Sequence, residues 1–241
     1  RKMFEENSRV GGAAPIDESV NCITPFLSGI RPKENPEHPA WKFQKFIFHQ
    51  VILNEEYVCV TQQRTNGGWH NCLRESNNFK RWTQVDDAAA WYFALATTRW
   101  DLNAKGTMIS RGRDNLVRYH ALMLDDIGDG EGSKASDPPI PPACKLETSA
   151  GNYQWIYRLK AGDDFAAFSA VVELAIEKGW GDPGAGGEYR VARLPRSANL
   201  KPENKGFRSK VEYVDTETVW DLLELAEALG LDRAEIATRA T

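Results

Sequence analysis

The sequence predicts an α+β fold in which a sheet carries helices on one face and a helical tail follows. Three observations support this. Strand-length apolar or alternating runs occur at 57–62, 116–127, 153–159, 189–194 and 210–214. Phe165, Phe168, Val172 and Ile176 form one apolar stripe at helical spacing. The second half of the chain reads strand, strand, helix, strand, strand, an order that suits a sheet domain with helices on one side. With 241 residues, 41% of them hydrophobic and 27% charged, the chain can bury a core and has the composition of an ordinary globular protein.

Residues 11–40, rich in Pro, Gly, Asn and Glu with no period, predict a wrapped arm. Residues 43–53 and 57–62 are β-rich, and Asn66-Gly67-Gly68 separates the second run from 69–73 as a hairpin turn would. Asp86-Asp87 reads as the start of an apolar helix through Trp91, Phe93, Leu95 and Trp100, the two acids suiting its positive end. Residues 116–127 are more continuously apolar, as in a strand buried mid-sheet. Residues 128–142, with their glycines and prolines, predict a loop. Asp163 or Asp164 can cap the helix of the apolar stripe, which closes at Gly179. After 189–194 and 210–214, an amphipathic segment runs from 216 to 229 and stops at Gly230, and Asp232 can start another helix. The expected organisation is an N-terminal αβ module with an extended arm at 1–105, a sheet module at 106–215 and a helical tail at 216–241. Arg1 rather than Met at the start suggests a piece of a longer protein.

No apolar run approaches the roughly 18 residues that span a bilayer, so a cytoplasmic protein with no membrane partner is expected. Four scattered cysteines read as reduced thiols. Cys59, His70 and Cys72 lack the CxxC pair that would support zinc. The net charge of −4 argues against a uniformly basic nucleic-acid coat, but the charge is unevenly distributed. Seven Lys or Arg stand between Arg190 and Lys210 against one acid, Glu203, whereas five acids crowd 125–137 against Lys134.

Three segments could carry chemistry. In Ala121-Leu-Met-Leu-Asp125-Asp126-Ile-Gly128 a buried strand releases two carboxylates, the oxygen ligands that Mg²⁺ takes; a solvated strand end is the plainer reading. Residues 147–155 (Glu-Thr-Ser-Ala-Gly-Asn-Tyr-Gln-Trp) put a small polar turn before a strand. Backbone N–H groups with Ser149 and Asn152 can cradle phosphate there, or the segment is an ordinary β-turn. In 187–201, Arg190 and Arg193 are interleaved with Val191 and Leu194 and so lie on a strand, while the lysines suit a basic loop. The tryptophans Trp41, Trp69, Trp82, Trp91 and Trp100 can stack on bases but read mainly as core, and His120 reads as a buried, satisfied histidine.

Taken in order, these segments resemble the archaeo-eukaryotic primase superfamily, in particular the primase-polymerases of phages and plasmids. The resemblance covers residues 111–201. Asp125 and Asp126 stand at the paired acids, Gln154 at a position that is His in the wider family, and Glu188 at the third acid. Arg190, Arg193, Leu194, Pro195, Asn199 and Lys201 fit an Arg-x-x-Arg-Leu-Pro-Gly-x-x-Asn-x-Lys pattern, with Arg196 in place of its Gly. Adjacent acids on a regular strand point to opposite faces, so both can serve one site only if the strand bulges there. Gly128 makes room for that, and Asp129 is a substitute ligand.

The resemblance implies a catalytic core with an RRM-like antiparallel sheet packed by helices. It implies a DNA primase or polymerase that builds strands from (d)NTPs by two-metal chemistry. Asp125, Asp126 and Glu188 would hold two Mg²⁺ or Mn²⁺ ions. Ser149, Asn152, Gln154, Arg190 and Arg193 would bind the nucleotide. Asn199, Lys201 and Lys205 would hold single-stranded template and primer, with a helicase as a further partner, in the cytoplasm of a bacterial host. Two other classes use the same residues: a DNA-binding replication-initiation module that has lost catalysis, and a metal-dependent nuclease.

Overall fold

The computed structural model describes residues 47–48, 56–64, 68–71, 89–99, 101–102, 108–109, 112–204 and 206–241. Its strands are β1 (Tyr57–Arg64), β2 (Trp69–Asn71), β3 (Ala89–Thr98), β4 (Asp101–Leu102), β5 (Met108–Ile109), β6 (Leu116–Gly128), β7 (Cys144–Ser149), β8 (Asn152–Gly162), β9 (Val191–Arg193) and β10 (Lys210–Val214). The helices are α1 (Phe165–Glu177), α2 (Leu222–Ala228) and α3 (Arg233–Arg239). One sheet runs β10-β7-β8-β6-β3-β1-β2, with β9 also paired to β3, and β4 pairs β5 separately. The described pairings between strands are all antiparallel.

The expected α+β architecture is therefore present, and 1–105 and 106–241 contribute strands to the same sheet. One expectation is overturned: residues 89–98 form a strand, not a helix. Trp91, Phe93 and Leu95 follow a period of two and bury on one face, while Tyr92 and Ala94 take the other, so β pairing on both sides overrides the apparent start at Asp86-Asp87. The polar segment at 147–155 holds the end of β7 and the start of β8, and the turn within it is only Ala150-Gly151. The arm at 11–40 lies outside the described residues. Of 43–53 only Ile47 and Phe48 are described, both buried.

Two apolar clusters fix the layers. Ala121 and Met123 of β6, Ile156 of β8, Leu146 of β7, Phe93 of β3 and Leu194 meet on one face. Leu122, Leu124 and Ile127 of β6 turn the other way, with Trp155, Tyr157 and Leu159, to receive α1, α2 and α3. Tyr119 stacks on Phe168 at 5.0 Å and meets Phe165 edge-on at 5.7 Å, seating the first turn of α1. Fully burying a side chain such as Phe168 stabilises by about 1.5–3 kcal/mol. Asp164 caps α1 by accepting from the Ala167 N–H at 2.9 Å. Gly179 follows the helix at φ 82, the left-handed stop that the sequence signalled. Asp221 and Glu224 form a capping box on α2, Gly230 ends it at φ 73, and Asp232 caps α3.

Where β1, β3 and β6 converge, a polar group is sealed in the core. Glu56 accepts from Thr97 Oγ1 at 2.8 Å and from Arg118 Nε at 2.6 Å. His120 Nε2 lies 3.4 Å from the same hydroxyl, and its ring faces Phe48, with Nδ1 unpaired. Burial holds the His120 ring below the ordinary histidine range, against the pull of Glu56. Burial also raises the Glu56 carboxyl, but His120, Arg118 and Thr97 outweigh it and leave it low. Both shifts have the same sign: the unfolded chain binds protons that the folded one refuses, so stability is retained above the unfolded pKa and lost as pH falls. The histidine sets the upper end of the window at about pH 6.5. The melting temperature should drop on acidification below that point, and His120→Gln should flatten the slope there; an equal slope in the variant would assign the effect elsewhere.

Candidate active site

The site is built where β6 ends. Leu124 pairs with Trp155 and Ile127 with Tyr153, so Asp125 and Asp126 together face the single residue Gln154. This is a β-bulge, with Asp126 in the left-handed region at φ 58. The bulge that adjacent acids require is thus present. Alternation along β6 puts Asp125 on the face of Ala121 and Met123, and on β8 puts Gln154 on the face of Ile156.

Asp125 Oδ1 accepts from the Asp126 N–H at 2.9 Å. Burial pushes its carboxyl up, the neighbouring Asp126 adds to this, and the Gln154 side chain and the Arg193 charge pull it back. Gln154 Oε1 accepts the Arg193 N–H at 2.9 Å, locking β9 to β8 beside the acid. The Arg193 side chain is buried, lies over the Tyr92 ring at 4.9 Å and donates to the Ala198 carbonyl at 2.8 Å.

Asp126 turns toward a different partner. Its carbonyl accepts from Lys134 N–H, Ala135 N–H and Ser133 Oγ, and its Oδ2 lies 3.5 Å from Lys134 Nζ. The same ammonium is 3.0 Å from Asp182 Oδ2, and the Asp182 N–H donates to the Asp125 carbonyl at 3.1 Å. Burial raises the Asp182 carboxyl, but Lys134 and the Gly184 N–H outweigh it and hold it low. Sequence reasoning missed both residues; an acid set between Gly181 and Pro183 was the available signal.

Glu188 is buried, but its carboxylate is engaged by Arg113 in a close ion pair and by Ser169 Oγ at 3.0 Å. Burial alone would raise its carboxyl; its own backbone N–H, Arg113 and Ser169 bring it below the usual range. Ser149 and Asn152 bind each other at 3.1 Å, and Asn152 Nδ2 also reaches the Glu131 carbonyl at 3.1 Å. Arg190 folds back onto the Gly184 and Gly186 carbonyls. Asn199 is buried and donates to the Thr148 carbonyl at 2.8 Å, so it ties the basic segment to β7. Lys201 and Asp129 are exposed, and Lys205 lies outside the described residues.

Among the described residues no three His, Cys, Asp or Glu side chains are gathered as a metal cluster. The donor set at the bulge nevertheless suits a hard cation. Its groups are carboxylates, Asp125 is a half-buried acid whose carboxyl is raised by desolvation and by Asp126, and Asp126 and Asp182 already share one positive charge from Lys134. Cys59 and Cys144 are buried thiols, and Cys72 lies outside the described residues. Of the tryptophans, Trp91 and Trp155 are core; Trp41, Trp82 and Trp100 lie outside the described residues. Among the described residues no helix is long and apolar enough to cross a membrane.

The fold is similar to that of the AEP domain of the cyanophage S-2L primase-polymerase, with a TM-score of 0.53 and 11% identity over 71% of this chain and 88% of that one. Primase RepB′ superposes at a TM-score of 0.47 and 16% identity over 76% of this chain and 59% of that one. The catalytic domain of primase RepB′ in complex with initiator DNA gives 0.47 and 16% over 92% and 98%. No curated protein sequence matches. The family model described as the RepB DNA-primase N-terminal domain matches residues 102–234, more than half of the chain and all of the segment that carries the acids, Gln154 and the two arginines. By that match, this chain belongs to the RepB primase family.

Proposed function

We propose that the chain is a nucleotidyltransferase that joins nucleoside triphosphates into a DNA or RNA strand on single-stranded template, in the replication of a phage or plasmid. The observation that carries this reading is the bulge, which releases two consecutive carboxylates beside Gln154 and Arg193 within a RepB primase-family domain. Asp125, Asp126 and Glu188 are the residues to hold two Mg²⁺ or Mn²⁺ ions. Such ions, when bound, neutralise developing charge on phosphate and lower the pKa of the attacking hydroxyl.

The chain's own groups supply binding and orientation. Gln154 lies opposite the bulge that carries Asp125 and holds the Arg193 main chain with its side-chain oxygen, so the acid and the strand of the arginine meet at one residue. The buried Arg193 guanidinium, steadied by Tyr92, offers a preset charge to a triphosphate, whose oxygens a guanidinium matches two at a time. Ser149 and Asn152 shape the turn beside it. Arg190 can join only by leaving the carbonyls of Gly184 and Gly186. Glu188 can join the metal site only by leaving Arg113 and Ser169. Lys201 and Lys205 hold template or primer, with binding that weakens as salt rises. A helicase working beside the domain in the host cytoplasm completes the reading.

Primer extension tests it. With single-stranded template, labelled nucleotides and Mg²⁺ or Mn²⁺, the protein should lengthen strands, and the Asp125→Ala, Glu188→Ala double variant should not. Parallel reactions without primer separate priming from extension. Unchanged extension by the double variant would sink the mechanism.

A further inference from the structure

We propose that Asp182 is a positioning residue for the metal site: it draws the Lys134 ammonium away from Asp126 and so keeps that carboxylate open to a divalent ion. The inference rests on the metal-binding role given to Asp126 above, and Asp182 acts on it through Lys134.

The main chain of Asp182 is tied to the bulge. Its N–H donates to the Asp125 carbonyl at 3.1 Å, and its carbonyl accepts the Ala185 N–H at 2.8 Å. Gly181, just before it, lies so close to the core that a Cβ there would stand 3.3 Å from Ile176 and 3.6 Å from Leu124. Arg190 closes the same loop from its other end by donating to the Gly184 and Gly186 carbonyls. The loop that carries Asp182 is therefore held against the end of β6.

The carboxylate has two tasks, and only one needs a charge. Oδ1 accepts the Gly184 N–H at 3.1 Å and starts the turn at Pro183–Ala185, which an asparagine oxygen does as well. Oδ2 takes the Lys134 ammonium at 3.0 Å, whereas Asp126 Oδ2 lies 3.5 Å from it. The backbone of Lys134 is anchored beside the bulge whichever carboxylate the ammonium meets, because its N–H and that of Ala135 donate to the Asp126 carbonyl. With the Asp182 charge gone, the ammonium keeps Asp126. Folding does not account for the arrangement: the Lys134 side chain is 54% exposed, and ion pairs so open to water add little to stability. The effect is local, on the charge that a dication meets at Asp126, where one ammonium a few ångströms away opposes it.

The test measures Mn²⁺ binding by the paramagnetic resonance of the free ion, without nucleotide or DNA, so that catalysis plays no part. Asp182→Asn keeps the N–H for Asp125 and an oxygen for Gly184 and loses only the charge; it should bind Mn²⁺ about tenfold more weakly. Lys134→Met should bind it about tenfold more tightly, and the double variant should return to within about twofold of the unaltered protein. Melting without metal should shift by no more than about 4 °C in any of them. Unchanged affinity in Asp182→Asn would overturn the proposal, as would weaker binding that tracks a lower melting temperature. So would weak binding that persists in the double variant, which would make Asp182 an ion ligand in its own right, or a Lys134→Met protein that binds no more tightly. If the unaltered protein binds no Mn²⁺, the metal reading of the bulge fails as well; if it binds and the variants match it, only the role of Asp182 fails.

Discussion

Asp125→Asn should remove nucleotide incorporation and leave the protein at least as stable as before. Losing an ion ligand costs several kcal/mol of transition-state stabilisation, and at 1.36 kcal/mol per decade this is a fall of about a thousandfold or more. The stability half follows from the carboxyl itself. Burial raises its proton affinity, so at neutral pH the folded state carries a charge that the unfolded state holds more comfortably. Asparagine keeps an oxygen for the Asp126 N–H and removes that charge. Steady-state incorporation and thermal melting without metal read the two halves separately. Substantial activity in the variant, or a clearly lower melting temperature, would contradict this account of Asp125.

Gly130→Ala should damage both fold and activity, although glycine has no side chain with which to hold an ion or nucleotide. A Cβ there would stand 2.3 Å from the Ala150 carbonyl oxygen and 2.8 Å from Asn152 Nδ2. The first of these is main chain and cannot rotate away. The loop after the bulge and the β7–β8 turn would separate, straining the Gly130 N–H bond to Gly151 and the Asn152 bond to the Glu131 carbonyl. Overpacking of this kind costs about 1–3 kcal/mol, and a displacement of about 1 Å near reacting groups can cost about a hundredfold in rate. Gly132→Ala is the control, since its Cβ would meet nothing within 4 Å. It should carry only the left-handed penalty of about 1–2 kcal/mol and keep its activity. Equal losses in the two variants would show that the backbone contact is unimportant.

The elements that the sequence made legible are those with local punctuation. Asp164, Gly179, Gly230 and Asp232 bound their helices where their chemistry requires, whereas the helix expected over 216–229 begins only at Leu222, after the Asp221 cap. Residues 89–98 were misread because an acid pair before an apolar run suits a helix start equally well, and only pairing with β1, β6 and β9 decides otherwise. At the site, adjacency of Asp125 and Asp126 demanded a bulge, and the chain has one. What could not be read was allegiance between distant segments. Nothing local reveals that Lys134 reaches Asp182, that Arg113 reaches Glu188, or that Asn199 spends its amide on Thr148. These pairings are set by how loops cross the end of the sheet, with separations of 48, 75 and 51 residues.

Lys134 has a consequence of its own. Its ammonium lies within 3.5 Å of Asp126 and 3.0 Å of Asp182, so this corner of the protein holds one internal counter-charge for two carboxylates as soon as it folds. A divalent ion approaching Asp126 would enter as a competitor. Its rival is tethered, and the local concentration of a tethered group does not fall on dilution. Occupancy by a free ion would then follow a threshold set by the lysine, and the length and charge of one surface side chain would tune how much free metal the domain requires.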